Sequence, residues 1–217
     1  MKSEFLISNI PTGKLNAMVK NIMTQTGITE PEEAVRMMNS GELQVSLIGS
    51  KWTKKDGVIR LSVTSDGATG EEWIARLESK GFHINGSAKS VLRSKNFNST
   101  NGVIYEIAVL KGEIFSDNKR ITKNIRKEAK KRSLSIPNAE VACLIREKFS
   151  DKELEAIGLY WFVTMHEPIK DSGGDPRLLG AGRDGSGSWL GADYGSPDRM
   201  WGCGDGYAFV VRQVSGS

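Results

Sequence analysis

The sequence predicts an α+β protein in which helices pack on a mostly antiparallel sheet. Helical and strand patterns do not strictly alternate along the 217 residues, which argues against a doubly wound sheet. The most hydrophobic runs, Leu159–Met165 and Ala208–Val214, predict two neighbouring central strands. The segment between them is rich in glycine, which predicts long loops at the carboxyl end of the chain.

The amino-terminal residues predict two short amphipathic helices. Apolar side chains at helical spacing mark the first helix: Leu15, Met18, Val19, Ile22 and Met23. Gly27 ends it, Thr29 and Pro31 open the second helix, and Gly41 stops that helix after Asn39. Such helices bury little surface alone, so we expect residues 1–42 to form an accessory segment that docks on the main body or on a partner chain. Residues 43–217 then form the α+β ligand-binding domain.

The body begins with a predicted hairpin, because residues alternate from Leu43 to Leu47 and again from Val58 to Val63, on either side of an Asp-Gly turn. Capping boxes predict two helix starts, at Thr69 with Glu72 and at Ser150 with Glu153. The remaining predicted elements are a short helix over Ser87–Ser94, a buried strand over Val103–Leu110, a basic helix over 119–132 and a helix opened by Pro137.

The basic helix carries most of the charge asymmetry in a chain of net charge +4. Its candidate phosphate-binding residues are Lys119, Arg120, Lys123, Arg126, Lys127, Lys130 and Lys131. A solvated helix face resting on the apolar stripe of Ile121, Ile125 and Ala129 is one interpretation. A surface that follows nucleic-acid phosphates is the other, although no aromatic side chain in the run could stack on bases. Nucleic acid therefore remains an alternative partner, and the alternative function is that of a nucleic-acid-associated protein of a phage or mobile element that uses the basic helix.

No pattern of catalytic residues appears. His83 and His166 lack the spacing of a metal-binding motif. His166 and Glu167 are adjacent on a strand and point to opposite faces, so a structural role is expected for His166. Cys143 lies among apolar residues of a helix, whereas Cys203 lies in the glycine-rich segment without a histidine nearby in sequence. We expect a protein without enzymatic activity, catalytic residue or cofactor, and with two free thiols.

Metal and membrane signals are also weak. Asp184, Ser186 and Ser188 alternate like calcium ligands, but the bidentate glutamate of a calcium loop is missing, so a turn is expected there and no metal. No apolar stretch reaches the length of a membrane span, and the first residues lack the features of a signal peptide. These observations predict a cytoplasmic protein without membrane insertion.

The segment from Ser172 to Tyr207 is the most distinctive part of the sequence, since it holds eleven of the 24 glycines. Tryptophan and tyrosine are interleaved with glycine, serine and aspartate. Rigid aromatic side chains among small polar ones are typical of recognition surfaces. The segment therefore predicts a binding surface for a protein or another surface ligand.

Three short motifs support this interpretation through a resemblance. Gly187-Ser-Trp189-Leu, Ser196-Pro197-Asp198-Arg199 followed by Trp201, and Gly206-Tyr207-Ala-Phe209-Val-Val resemble the carboxyl end of the variable proteins of diversity-generating retroelements. The resemblance covers about one sixth of the chain. It differs from the usual pattern at Ser188 and Tyr207, where glycine and phenylalanine are common.

The resemblance implies a C-type-lectin-like fold whose final segment is diversified to bind ligands. It implies a ligand-binding set of Trp189, Asp193, Tyr194, Ser196, Asp198, Arg199, Met200, Trp201, Cys203, Asp205 and Tyr207. The two tryptophans are expected to be half-buried supports. The exposed positions are expected to be the others of this set between Asp193 and Asp205.

Overall fold

The computed structural model describes residues 12–40, 51–55 and 57–211. The chain divides into two compact units, Met1–Gly49 and Ser50–Ser217. The first unit contains α1 (Thr12–Thr26) and α2 (Pro31–Ser40), which confirms both predicted helices. Gly27 ends α1 with a φ of 74°, in the left-handed region that glycine adopts without a steric penalty. The predicted strand Leu43–Leu47 lies outside the described residues.

The second unit is built on one large sheet. Its strands are β1 (Trp52–Lys55), β2 (Val58–Asp66), β3 (His83–Ile84), β4 (Asn101–Lys111), β5 (Leu134–Ser135), β6 (Trp161–Thr164), β7 (Ile169–Lys170), β8 (Pro176–Asp184), β9 (Gly187–Tyr194) and β10 (Asp205–Val211). The spatial order is β1-β2-β4-β10-β6-β8-β9-β3, with β5 beside β10 and β7 beside β8. Only the β10–β6 and β3–β9 pairs are parallel among these strands, so the prediction of a mostly antiparallel α+β fold is confirmed.

Helices cover both faces of this sheet. On one face lie α3 (Gly70–Ser79), α4 (Gly86–Leu92), α6 (Val141–Lys148) and α7 (Asp151–Ile157), whose apolar side chains join one hydrophobic core. On the other face lies α5 (Thr122–Lys131), which places Ile125 and Ala129 in a second, smaller core. Both predicted capping boxes are present, at the starts of α3 and α7. The hairpin partner of β2 is β1, across a turn at Gly57, and β4 pairs with the other edge of β2.

The predicted central strands are neighbours, as β6 and β10. They run in parallel, because the chain leaves β6, forms the β8–β9 hairpin and returns to β10 in the original direction. The expectation of long glycine-rich loops needs correction, since most of the segment is this hairpin. The glycine-rich connections that remain are residues 171–175 and residues 195–204.

The glycines of the hairpin provide a flat floor for Trp161. A Cβ atom built on Gly180 would lie 2.4 Å from Nε1 of Trp161, and one built on Gly182 would lie 2.1 Å from its Cε3. One built on Gly191 would lie 3.1 Å from Cζ2 of the same ring. Glycine within a strand often marks such a close approach. The glycine content of β8 and β9 therefore reflects packing against an aromatic ring.

Candidate recognition surface

Residues 195–204 connect β9 to β10, and their main chain is fixed to the first turn of α5. The amide of Thr122 donates to the carbonyl of Arg199 at 3.2 Å, and that of Lys123 donates to the carbonyl of Pro197 at 2.9 Å. The amide of Trp201 donates in turn to the carbonyl of Arg120 at 3.0 Å. The first amides of a helix have no partner within the helix, and here two of them hold the loop. Main-chain atoms therefore contribute directly to holding the loop against α5.

Two buried aromatic side chains support the loop from below. Trp201 is 7% exposed and its Nε1 donates to Oγ1 of Thr122 at 3.0 Å. Tyr207 is fully buried and its hydroxyl donates to the carbonyl of Gly202 at 3.0 Å. Their ring centroids are 6.3 Å apart in an edge-to-face arrangement. The interpretation of Trp201 and Tyr207 as ligand contacts is therefore wrong, because their rings fill the second core and their polar atoms bond inward.

The predicted exposed positions are mostly at the surface. Tyr194 and Met200 are 46% and 59% exposed, and Asp198, Arg199 and Cys203 are exposed as well. Asp193, Ser196 and Asp205 are half-buried. The structure places all eight positions on the loop or its two flanking strand ends, with Asp193 and Tyr194 at the end of β9 and Asp205 at the start of β10.

Tyr160 is a surface residue that the sequence interpretation missed. It is 61% exposed, and its amide donates to the carbonyl of Gly204 at 2.9 Å, which places it beside the loop. The hydrophobic run Leu159–Met165 suggested a buried strand throughout. In the structure β6 begins only at Trp161, so Tyr160 lies just before the first residue of a central strand, and no local signal in the sequence indicates this.

Tyr194 is held by side chains outside the loop. The guanidinium of Arg177 lies 4.2 Å from the centre of its ring, and its hydroxyl donates to Oδ2 of Asp175 at 2.9 Å. Arg177 is itself fixed by Asp171, with Nε and Oδ2 2.7 Å apart. An exposed aromatic ring with a fixed orientation loses little conformational entropy when a ligand covers it.

The charged residues of the surface lie close to one another. Nη2 of Arg199 is 3.4 Å from Oδ1 of Asp193, and Nζ of Lys123 is 2.6 Å from Oδ1 of Asp198. Burial raises the pKa of Asp193, and Arg199 partly counters that effect. Burial likewise raises the pKa of Asp205, whose Oδ2 accepts a hydrogen bond from the amide of Gly202 at 2.7 Å. The surface therefore offers both acidic and basic groups, on the loop and on the elements that flank it.

Trp189 lies apart from the loop. It is on β9 four residues before Asp193, which is roughly 13 Å along a strand. Its half-buried ring lies 4.8 Å from the ring of His83, and its Nε1 donates to Oδ1 of Asp184 at 3.0 Å. Asp184 also accepts from the amide of Ser186 at 2.8 Å, so this acid closes the turn between β8 and β9. Within the described ranges, no three histidine, cysteine or acidic residues are placed to hold a metal ion.

The basic residues predicted for nucleic-acid binding separate into two groups. Arg120 is 7% exposed, and its Nε and Nη2 donate to the carbonyls of Gly112 and Phe115, both at 3.0 Å. Arg126 donates to the carbonyl of His166 at 2.5 Å and pairs with Glu167. These two arginines hold the fold, which corrects their assignment as surface contacts. Lys119, Lys123, Lys127, Lys130 and Lys131 are exposed.

The interior holds His166 as a neutral ring. Its Nε2 accepts from the amide of Leu179 at 2.9 Å, so its Nδ1, 2.6 Å from the carbonyl of Glu167, carries the proton. Burial lowers the pKa of His166 from 6.5 to about 4. Cys143 is also fully buried, which raises the pKa of its thiol, while Cys203 is exposed. The structural role expected for His166 fits these contacts.

Acidification is expected to destabilise the protein through His166. The unfolded chain takes up a proton below a pH of about 6.5, and the folded ring does so only near its own pKa of about 4. Stability is therefore complete above the higher value and falls as the pH drops between the two. From about pH 7 to about pH 5 the free energy of unfolding should decrease by about 2 kcal/mol, measured by urea denaturation. His166→Gln keeps an acceptor for Leu179 and should flatten this dependence, and equal slopes for both proteins would contradict the assignment.

Comparisons with known proteins give no match to a family model, to a curated protein or to a solved structure. Among the described helices, none combines the length and apolar character needed to cross a bilayer. The cytoplasmic location remains a prediction.

Proposed function

We propose that this protein is a ligand-recognition protein that binds through residues 195–204 and the adjoining positions Tyr160, Asp193, Tyr194 and Asp205. The observation that carries the proposal is that the groups that anchor the loop differ from the side chains that the loop exposes. Main-chain hydrogen bonds to α5 and two buried aromatic rings fix its conformation. The exposed side chains of Tyr194, Met200 and Cys203 contribute nothing to that anchoring, which leaves them available for contacts.

The chemistry of these side chains suits a protein surface as the ligand. Tyrosine and arginine are enriched at the energetic centres of protein interfaces, and a methionine adapts to irregular partners. The nearby acidic groups of Asp193, Asp198 and Asp205 add polar contacts and favour particular partners. Binding would proceed without bond chemistry. The resemblance to the variable proteins of diversity-generating retroelements is part of this proposal. A loop whose anchoring does not depend on its exposed side chains can accept the substitutions of a diversified segment.

The test separates stability from binding. Tyr194→Ala, Arg199→Ala and Met200→Ala should each change the free energy of unfolding by at most about 1 kcal/mol, because exposed side chains contribute little to the folded state. A variant with all three changes should lose its partners in quantitative affinity capture from a cell extract. The control with Lys54→Ala, Lys95→Ala and Lys152→Ala removes exposed side chains elsewhere and should retain those partners.

Two results would contradict the proposal. If the three single variants are unfolded at room temperature, these side chains are required for folding and are not available for binding. If the triple variant and the control capture the same proteins to the same extent, recognition lies elsewhere on the molecule.

A further inference from the structure

A basic groove runs beside α5 on the same face of the sheet as the recognition surface. It has a volume of about 550 Å³ and lies between α5 and residues 134–136, with Ala129 and Phe209 at its base. Its titratable lining residues are all basic: Lys123, Arg126, Lys127 and Lys130. A concave site lined by one sign of charge concentrates ligands of the opposite charge.

Two of the four cations are free to bind an anion. Lys123 is paired with Asp198, and Arg126 is paired with Glu167. Lys127 and Lys130 are exposed and form no ion pair within the described part of the chain. They are three residues apart on the helix, so their side chains are neighbours. The centre of the groove therefore carries positive charge that the protein itself does not neutralise.

The positions of these cations form a line. Lys123, Lys127 and Lys130 follow the axis of α5 over a rise of roughly 10 Å, which is more than one isolated phosphate would span. Leu134 is half-buried, Phe209 is buried and Ile136 is 44% exposed, so no aromatic face is open for stacking on bases. The groove volume lies within the range of small-ligand pockets, so the groove itself would hold only a short stretch of a polyanionic chain.

We propose that the basic groove binds the phosphate backbone of single-stranded nucleic acid without reading its sequence. Lys127 and Lys130 contact successive phosphates, and Ile136 covers part of the sugar and base. This site is separate from the loop side chains proposed for recognition. The two sites meet at the ion pair of Lys123 and Asp198, through which the loop controls the charge at one end of the groove.

The experiment measures the binding of a fluorescent oligothymidylate about twenty nucleotides long by anisotropy at several salt concentrations. Lys127→Gln with Lys130→Gln is expected to weaken binding at least tenfold at low salt. The slope of log K against log salt should fall by about 1.4, since each phosphate contact on a single strand contributes about 0.7. Asp198→Asn releases Lys123 and should strengthen binding severalfold.

The matched control is Lys95→Gln with Lys152→Gln, which removes the same charge from exposed positions that do not line the groove. It should bind within about twofold of the unchanged protein. Circular dichroism spectra of all variants are recorded to check that each variant is folded. Equal losses for the control and the groove variant would overturn the proposal, as would tighter binding of a duplex of the same length. Competition by inorganic tripolyphosphate at equal phosphate concentration would overturn the assignment to a nucleic-acid chain.

Discussion

Replacing Gly182 with alanine is expected to lower the free energy of unfolding by about 3 kcal/mol. The added methyl group would lie 2.1 Å from Cε3 of Trp161 and 2.8 Å from the carbonyl oxygen of Tyr160. The carbonyl oxygen of Tyr160 belongs to the main chain, so it cannot rotate away from the added methyl group. The indole must therefore leave its place on β8, and the contacts of Trp161 with the second core are lost with it.

Urea denaturation of Gly182→Ala measures this cost. The matched control is Gly185→Ala, three positions along, in the turn between β8 and β9, where an added Cβ meets no atom within 4 Å. The control should change stability by less than about 1 kcal/mol. Combining Gly182→Ala with Trp161→Leu should cost less than the sum of the two single changes, because the clash requires the indole. Equal stability of the two alanine variants would show that Trp161 does not rest on the glycine floor.

Replacing Asp151 with alanine is expected to cost about 3–5 kcal/mol, because it leaves the charge of Arg146 buried without its partner. The side chain of Arg146 is fully buried, with Nη1 2.9 Å from Oδ1 of Asp151. Besides this ion pair, the guanidinium donates hydrogen bonds to the carbonyls of Phe149 at 2.6 Å and Gly182 at 3.2 Å. Burial lowers the pKa of Arg146, which shows that its charged form already bears a desolvation cost.

A surface ion pair of similar geometry provides the control. Arg93 and Glu71 are 2.6 Å apart, with side chains 54% and 65% exposed. Glu71→Ala should cost less than about 1 kcal/mol, since water screens the remaining charge. Adding Arg146→Met to Asp151→Ala should restore part of the lost stability by removing the buried charge. Equal denaturation midpoints for Asp151→Ala and Glu71→Ala would contradict the prediction that the buried ion pair contributes more stability than the surface pair.

Local signals in the sequence determined the elements that were predicted well. The capping boxes at Thr69 and Ser150 involve residues three positions apart, so the start of a helix can be read from a short window. Gly27 marks the end of α1 in the same way. The α+β class followed from the order of such elements along the chain.

The β8–β9 hairpin could not be predicted in this manner. Glycine in isolation favours a loop, and the strand conformation of Gly180 and Gly191 depends on Trp161, which is distant in the sequence. The burial of Tyr207 has the same origin, because the loop that covers it is closed by α5. Contacts between remote segments decide such positions, and composition does not contain them.

The exposure of residues at the candidate surface could be predicted only in part from the sequence. Small and polar residues of the loop indicated exposure correctly at Asp198, Arg199 and Met200. The same reasoning failed for Arg120 and Arg126, because a charged side chain can reach buried carbonyls that only the fold brings near. Charge along a helix therefore distinguishes a binding face from structural cations only after the surroundings are known.

The place of β10 in the sheet has a consequence for synthesis of the protein. This strand follows every other described strand in the chain, yet it lies between β4 and β6. Before residues from Asp205 onward have been synthesised, the nascent chain can form only two partial sheets, β1-β2-β4 and β6-β8-β9-β3. The unpaired edges of these partial sheets favour aggregation. Completion of the central pairing must wait until the last strand emerges, so we expect slow folding that benefits from a chaperone.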